Sequence, residues 1–294
     1  MPIDNETRNQ IDLAIYAALK ENPRIATREL FRIIASLRKW KILHGSAQQI
    51  LDKLFKDKIL IGPYLYRRSG TKVTISEKKD IGAEELREKD SLSISLVGQY
   101  SYLGVSQDGP GNLQYAELVG PSVPPKIVLE KSLQGEGEFI DHCFDRPQKL
   151  ESDRSVEWDS IDWRIYEAMR NPRQNFFEVG TELRMPWKMV RERFQRIVKD
   201  CKVFMGFFPL GYLRYDHLLV TMRTEYETGI EKFLQGLDRS SWLLKVDDIL
   251  VLYLFHTHIN LTCLKFSEMN CMGIIDDVRV GFPVNVDRER VLFF

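Results

Sequence analysis

The sequence predicts an α+β fold in which two helical modules alternate with two strand-rich domains. Three observations predict it: an internal repeat, an apolar periodicity that switches from helical to strand spacing at the same place in both copies, and a polar, proline-broken stretch between them. In the repeat, Ile11-Asp12-Leu13-Ala14-Ile15-Tyr16 returns as Ile161-Asp162-Trp163-Arg164-Ile165-Tyr166. Asn22-Pro23-Arg24 returns as Asn171-Pro172-Arg173, and Lys58-Ile59-Leu60-Ile61-Gly62 returns as Lys202-Val203-Phe204-Met205-Gly206. Matches in the same order imply a shared order of elements. The stretch holding Gly135-Glu136-Gly137-Glu138 and Arg146-Pro147-Gln148-Lys149 has the composition of a linker. The expected division is a helical module over residues 1–68, a reduced strand-rich domain over 69–134, a linker over 135–155, a second helical module over 156–215 and a full strand-rich domain over 216–294.

A chain of 294 residues, 44% hydrophobic and 29% charged, is long enough to bury more than one core. No apolar run approaches the roughly 18 residues of a membrane span. The opening Met1-Pro2-Ile3-Asp4 lacks the basic flank and apolar core of a signal peptide. The expected location is therefore the cytoplasm, with no membrane partner. Lys plus Arg number 42 and Asp plus Glu 42, so no net field draws in nucleic acid, and any such binding has to come from a local patch. Cys143, Cys201, Cys263 and Cys271 are scattered without CxxC spacing, as in a reducing compartment.

In the first module the periodicity predicts helices over 7–21 and 27–37, the first stopping at Asn22-Pro23 because proline disfavours helix in the residue before it. A third helix is expected after Gly45, with Ser46 as N-cap and Ala47, Ile50, Leu51, Leu54 and Phe55 on one side. In the second module the first helix is expected over 160–170. Asn175 then stands as N-cap with Glu178 at capping-box spacing, opening a short helix that ends near Leu183. Pro186 suits the first turn of a third helix, in which Val190, Phe194, Ile197 and Val198 form one apolar stripe. The rest of that helix carries Trp187, Lys188, Arg191, Glu192, Arg193, Gln195, Arg196 and Lys199.

Three helices followed by a strand with a glycine-broken turn at 203–212 have the plan of a winged helix-turn-helix. Its recognition helix sends side chains to base edges in the major groove and cations to phosphates. An ordinary solvated helix has the same composition, since Lys and Arg are good surface helix formers. The first module has five more residues between Arg24 and Gly62 than the second has between Arg173 and Gly206. They fall in Arg38-Lys39-Trp40-Lys41-Ile42-Leu43-His44, where a helix-turn-helix has three or four turn residues. Arg38, Lys39, Lys41 and Lys53 form a basic segment suited to phosphate, and Gln48 and Gln49 carry amides that match adenine edges.

The second strand-rich domain reads as strand 218–222, helix 227–239, strands 242–246 and 250–255, helix 261–272 and a strand near 278–280. That order, βαββαβ, is ferredoxin-like. The first domain is a reduced copy, with strand 72–76, helix 83–89, strands 92–97 and 102–106, helix 112–118 and strand 126–129.

A winged helix-turn-helix followed by a βαββαβ domain, opened by Ile-Asp-x-x-Ile, resembles the Lrp/AsnC (feast/famine) transcription regulators, here as two copies in one chain. Ile161-Asp162-Trp163-Arg164-Ile165 and Val190-Arg191-Glu192-Arg193-Phe194-Gln195-Arg196-Ile197 look like the family's first and third helices. Val97-Gly98-Gln99-Tyr100 looks like its glycine-tyrosine hairpin. The resemblance implies that the halves pair within the chain as a pseudo-dimer with two unequal reading heads, and that the protein is a sequence-specific regulator binding double-stranded DNA. It also implies a small-molecule effector such as an amino acid, and further self-association. The second copy has Val246-Asp247-Asp248-Ile249 where the hairpin belongs, so no effector-contact residue carries over.

No enzyme is expected and no cofactor. His256 and His258, alternating at a strand end, with Cys263 and Cys271 downstream, are the best metal donors. His142-Cys143 are strand neighbours that point apart, and Gly109 and Gly111 flank Pro110 in a turn rather than a phosphate loop. Two other functional classes fit the same architecture. One is a protein-interaction scaffold docking through its winged helices; the other is an enzyme like the paired tetrapyrrole decarboxylases, which would require residues such as His256 and Arg223 to converge in a pocket.

Overall fold

The computed structural model describes residues 5–37, 44–67, 72–76, 92–100, 102–106, 116–123, 143–150, 158–246 and 248–284. In chain order the elements are α1 (Asn5–Glu21), α2 (Thr27–Leu37), α3 (His44–Lys56), β1 (Leu60–Arg67), β2 (Lys72–Ser76), β3 (Leu92–Gly98), β4 (Tyr102–Ser106) and β5 (Ala116–Val123). The second half contributes α4 (Ser160–Ala168), α5 (Phe176–Leu183), α6 (Trp187–Ile197), β6 (Cys201–Phe207), β7 (Asp216–Arg223), α7 (Glu227–Gln235), β8 (Ser241–Val246), β9 (Ile249–His256), α8 (Ile259–Cys271) and β10 (Asp276–Val284). They form an α+β protein of two compact units, Met1–Arg67 with Val156–Tyr212, and Arg68–Ser155 with Leu213–Phe294. Each unit thus draws on both halves of the sequence.

In the first unit, Ile165, Tyr166, Met169, Val179, Val190, Phe194 and Ile197 meet in one buried cluster of α4, α5 and α6, as their helical spacing requires. The Asp159 side chain caps α4 by accepting from the N–H groups of Ile161 and Asp162, and the Asp162 carboxylate accepts in return from Asp159 N–H. Asn175 caps α5, but its oxygen accepts from the N–H of Phe177 rather than of Glu178. In the first half α3 begins at His44, which places Ser46 inside the first turn instead of ahead of it.

The strand expected to belong to the second module's wing finds its partner in the other half. β6 pairs antiparallel with β1 of the other half, Ile61 opposite Gly206 and Leu65 opposite Val203. Each strand alone would present unpaired N–H and C=O groups, and pairing with its repeat counterpart satisfies them. Side chains cross over with the backbone. Leu65 of β1 is buried in the α4–α6 cluster, its N–H donating to the Arg170 carbonyl at 2.8 Å and its carbonyl accepting from the Tyr166 hydroxyl at 3.3 Å. Reciprocally, Phe207 of β6 packs on Tyr16 of α1 with ring centroids 5.5 Å apart. Tyr16 and Tyr166 are the equivalent tyrosines of the repeat.

In the second unit the two expected α/β sandwiches are merged into one eight-stranded antiparallel sheet, in the order β2-β4-β3-β10-β7-β9-β8-β5. The second half supplies β10-β7-β9-β8, so its own strands run fourth, first, third, second. α7 and α8 cover one face, against Leu218, Val220, Met222, Leu250, Leu252 and Leu254. Alternate residues such as His217, Tyr253 and Trp242 belong to the opposite face, where the Trp242 and Tyr253 rings stack at 4.9 Å. The first half supplies its strands in the order first, third, second, and its β3 continues onto β10. β5 pairs with β8. The helix expected over 112–118 is therefore corrected: from Ala116 the chain is strand, because the β8 edge offers backbone partners that outweigh local helix propensity. The expected helix 83–89 and strand 126–129 lie outside the described residues.

Part of the stretch expected as linker is packed on this unit. Cys143 and Phe144 are buried in the α7–α8 core. A Cβ on Gly229 of α7 would lie 2.5 Å from the Phe144 ring, so a side chain there would expel it. The buried Glu227 carboxylate accepts from Leu150 N–H at 2.8 Å and from Lys245 Nζ at 2.7 Å. Across the halves, the Tyr100 and Thr221 hydroxyls are hydrogen-bonded at 2.5 Å. Gly98 ends β3 with φ +130, and a Cβ there would stand 2.6 Å from the Val280 carbonyl oxygen of β10.

Two stability changes are expected. Gly98→Ala meets both a positive φ and the β10 backbone, and should lower unfolding free energy by about 2 kcal/mol or more in denaturant titration. Glu227→Ala leaves the Lys245 ammonium without its buried partner and should cost about 3–5 kcal/mol in the same measurement.

Candidate nucleic-acid interface

α5 and α6 are joined by residues 184–186, a turn of helix-turn-helix length. The turn is tight. Arg184 takes a left-handed conformation, φ 55, as the C-cap of α5, and a Cβ on Gly180 would lie 2.8 Å from the Met185 carbonyl oxygen. Arg164 donates to the Leu183 carbonyl at 3.1 Å, satisfying an end group of α5. In the first half, residues 38–43 separate α2 from α3, and Arg38, Lys39 and Lys41 lie outside the described residues.

The side chains of α6 divide into two sets. Lys188, Arg191, Glu192 and Gln195, with Lys199 in the turn just beyond the helix, are exposed, and Trp187 is 41% exposed, with Lys188 Nζ 6.0 Å from its ring centroid. Arg193, half-buried, and Arg196, itself exposed, are ion-paired to the start of α4. Arg193 Nη1 lies 2.6 Å from Asp159 Oδ2 and 3.0 Å from Asp162 Oδ1, and Arg196 Nη2 is 2.7 Å from Asp162 Oδ2. A buried carboxylate such as Asp162 requires cationic partners, so these two arginines anchor α6 to the start of α4. The Arg193 hydrogen bond, aided by the Asp162 N–H, holds the Asp159 carboxyl down at about 2. On α3, Gln48, Gln49 and Lys53 are exposed, and Gln48 Nε2 donates to Asp52 Oδ1 at 2.7 Å.

Beside α6 opens a cleft of about 470 Å³ lined by Arg24, Phe176, Trp187, Arg191, Phe194, Gln195 and Val198. Arg24 enters from the first half. It donates to the carbonyls of Pro172 and Gln174, the latter at 3.0 Å, and its guanidinium lies 4.1 Å from the Phe176 ring centroid. Arg173 returns the contact, donating to Pro23 O at 3.3 Å and Ile25 O at 3.5 Å. The repeated Asn-Pro-Arg thus marks a reciprocal clasp between the halves. Sequence reasoning took it only as a helix stop and missed Arg24 as a lining residue; its signal was the arginine recurring at one position in both copies.

The other chemical candidates are dispersed. His256 is buried at the end of β9, whereas His258 lies past the strand as the N-cap of α8, exposed, with Nδ1 3.0 Å from Thr257 Oγ1. The alternating strand geometry expected for this pair is thereby corrected, because the chain turns into α8 after His256. Burial pushes the His256 ring below its ordinary pKa. Cys143 is buried and Cys271 exposed, His142 lies outside the described residues, and Arg223 pairs with Asp248 at 3.3 Å. Among the described residues no three His, Cys, Asp or Glu side chains gather as a metal site, and no helix is long and apolar enough to cross a membrane. Gly109, Pro110 and Gly111 are outside the described residues. No protein-family model matches the chain, and no curated protein or solved structure is significantly similar to it.

The Asp159 cap gives a pH dependence with a defined sign. Its folded pKa, about 2, lies below the ordinary 3.8, so its contribution to stability is complete above the ordinary value and is lost as pH falls towards the folded one. Thermal denaturation followed from pH 4 to pH 2 should show a steeper loss for the native protein than for Asp159→Asn.

Proposed function

We propose that the protein is a sequence-specific, double-stranded-DNA-binding transcription regulator of Lrp/AsnC type, with two winged helix-turn-helix heads held by a pseudo-dimer of ferredoxin-like domains within one chain. The observation that carries the reading is the division of α6. Its apolar face is buried on α4 and α5, while Lys188, Arg191, Gln195 and Lys199 face solvent in a chain of zero net charge. A helix presented in this way after a tight turn suits insertion in the major groove, with Gln195 at base edges and Lys188, Arg191 and Lys199 at phosphates. The fourth-first-third-second strand order of the second half supports a ferredoxin-like domain. The crossed pairing of β1 with β6 and of β3 with β10 supports the intrachain pseudo-dimer. The heads are unequal: the first has the longer 38–43 connection and an α3 whose Gln48 is already bonded to Asp52.

The ion pairs revise the set of groups assigned to phosphate. Arg193 and Arg196 are positioning residues that hold α6 against α4, and the free cations are the candidates for the backbone. Dissociation constants for a duplex, measured across a salt series, should rise steeply with salt. The triple variant Lys188→Ala, Arg191→Ala, Lys199→Ala should flatten the log–log slope by about 2–3, close to one per phosphate contact removed. An unchanged slope with the fold intact would refute the assignment of this face.

A further inference from the structure

The cleft beside α6 is built from both halves and has a mixed chemistry that a solvated helix face lacks. Phe176, Phe194 and Val198 give it an apolar floor, the part-exposed Trp187 a flat wall, and Gln195 an amide with both donor and acceptor. Two guanidiniums, Arg24 and Arg191, line it as well. Arg24 is preorganised: the Pro172 and Gln174 carbonyls and the Phe176 ring hold it in place. Burial disfavours its charge, and the neighbouring Arg173 cation acts in the same direction. Among the described residues Arg191 has no ion pair, in contrast to Arg193 and Arg196 on the same helix. The volume, about 470 Å³, is that of a small-ligand site.

We propose that this cleft binds a free nucleoside monophosphate, with its phosphate on Arg24 and Arg191, its base against Trp187 and the base edge on the Gln195 amide. Phosphate, with three acceptor oxygens, suits a cleft lined by two guanidiniums better than a lone carboxylate does, and a planar base matches the indole wall over an apolar floor. The pose has one consequence that rests on the DNA-binding reading: Trp187, Arg191 and Gln195 belong to both surfaces, so the nucleotide and the duplex exclude each other and the nucleotide acts as a negative effector.

The test is calorimetric titration of the full chain with AMP, GMP, CMP and UMP, and with adenosine and inorganic phosphate as partial ligands. At least one mononucleotide should bind saturably, and tighter than either fragment. Arg191→Ala should weaken that binding at least about tenfold, the loss of a charge-assisted hydrogen bond, and Gln195→Ala should change the preference among bases, both with unchanged melting temperature. Arg24→Ala should act like Arg191→Ala; because it also opens the clasp, Arg191→Ala and Gln195→Ala decide the outcome. No saturable mononucleotide binding at millimolar concentration, or binding indifferent to both of those variants, overturns the proposal. A parallel titration with duplex DNA separates the two readings. Duplex binding without mononucleotide binding removes the cleft ligand and leaves the regulator. Mononucleotide binding that depends on Arg191, without duplex binding, keeps the cleft and removes the regulator.

Discussion

The structure depends on a rule of backbone chemistry: a strand edge inside a folded protein must find hydrogen-bond partners or meet water. Each half of this chain alone would leave to water an edge that the other half covers. The first half assembles β2, β4 and β3 and leaves β3 as an edge, which β10 of the second half covers while also serving its own β7. The second half leaves β8 as an edge, which β5 of the first half covers. The same exchange recurs where β1 meets β6. Each half completes the other's ladder, so the chain folds into units that cut across the repeat rather than along it.

This exchange also creates the chemistry beside α6. A trihelical module by itself would present Trp187, Arg191 and Gln195 on an open helix face. The clasp between the two Asn-Pro-Arg turns brings Arg24 of the first half over Phe176 of the second, and the open face becomes a cleft. Carbonyls in a turn have no helix or sheet ladder to satisfy them, and here the arginine of each turn donates to carbonyls of the other. The hydrogen bonds that join the two turns thus also place the Arg24 guanidinium in the cleft.

Much of this was legible in the sequence, and the illegible part has one physical origin. The helices followed from periodicity, and Asn175 from its position ahead of an apolar run, because those signals lie within a few residues of each other. The order βαββαβ of the second half was legible for the same reason. The partner of each strand was not, since ladder hydrogen bonds join backbone atoms that every residue carries. Ala116-Glu117-Leu118 favours helix locally, yet forms strand because β8 lies alongside it. Gly98 is legible as a turn residue, but the reason it tolerates no side chain is the Val280 carbonyl, far away in sequence.

The arginines of α6 show the same limit at the functional surface. Arg191, Arg193 and Arg196 are indistinguishable by composition, and a reading of charge alone assigns all three to phosphate. Helical geometry separates them. Arg193 and Arg196, three residues apart, share the side of the helix that faces α4 and there neutralise Asp159 and Asp162. Arg191 falls on another side, in line with Trp187 and Gln195. A chain with balanced charges can still present a cationic surface, because its acids and bases are not paired evenly: acids at the start of α4 pair with Arg193 and Arg196, and Lys188 and Arg191 stay exposed. The charge count of the helix therefore exceeds the number of its cations left without an ion pair among the described residues.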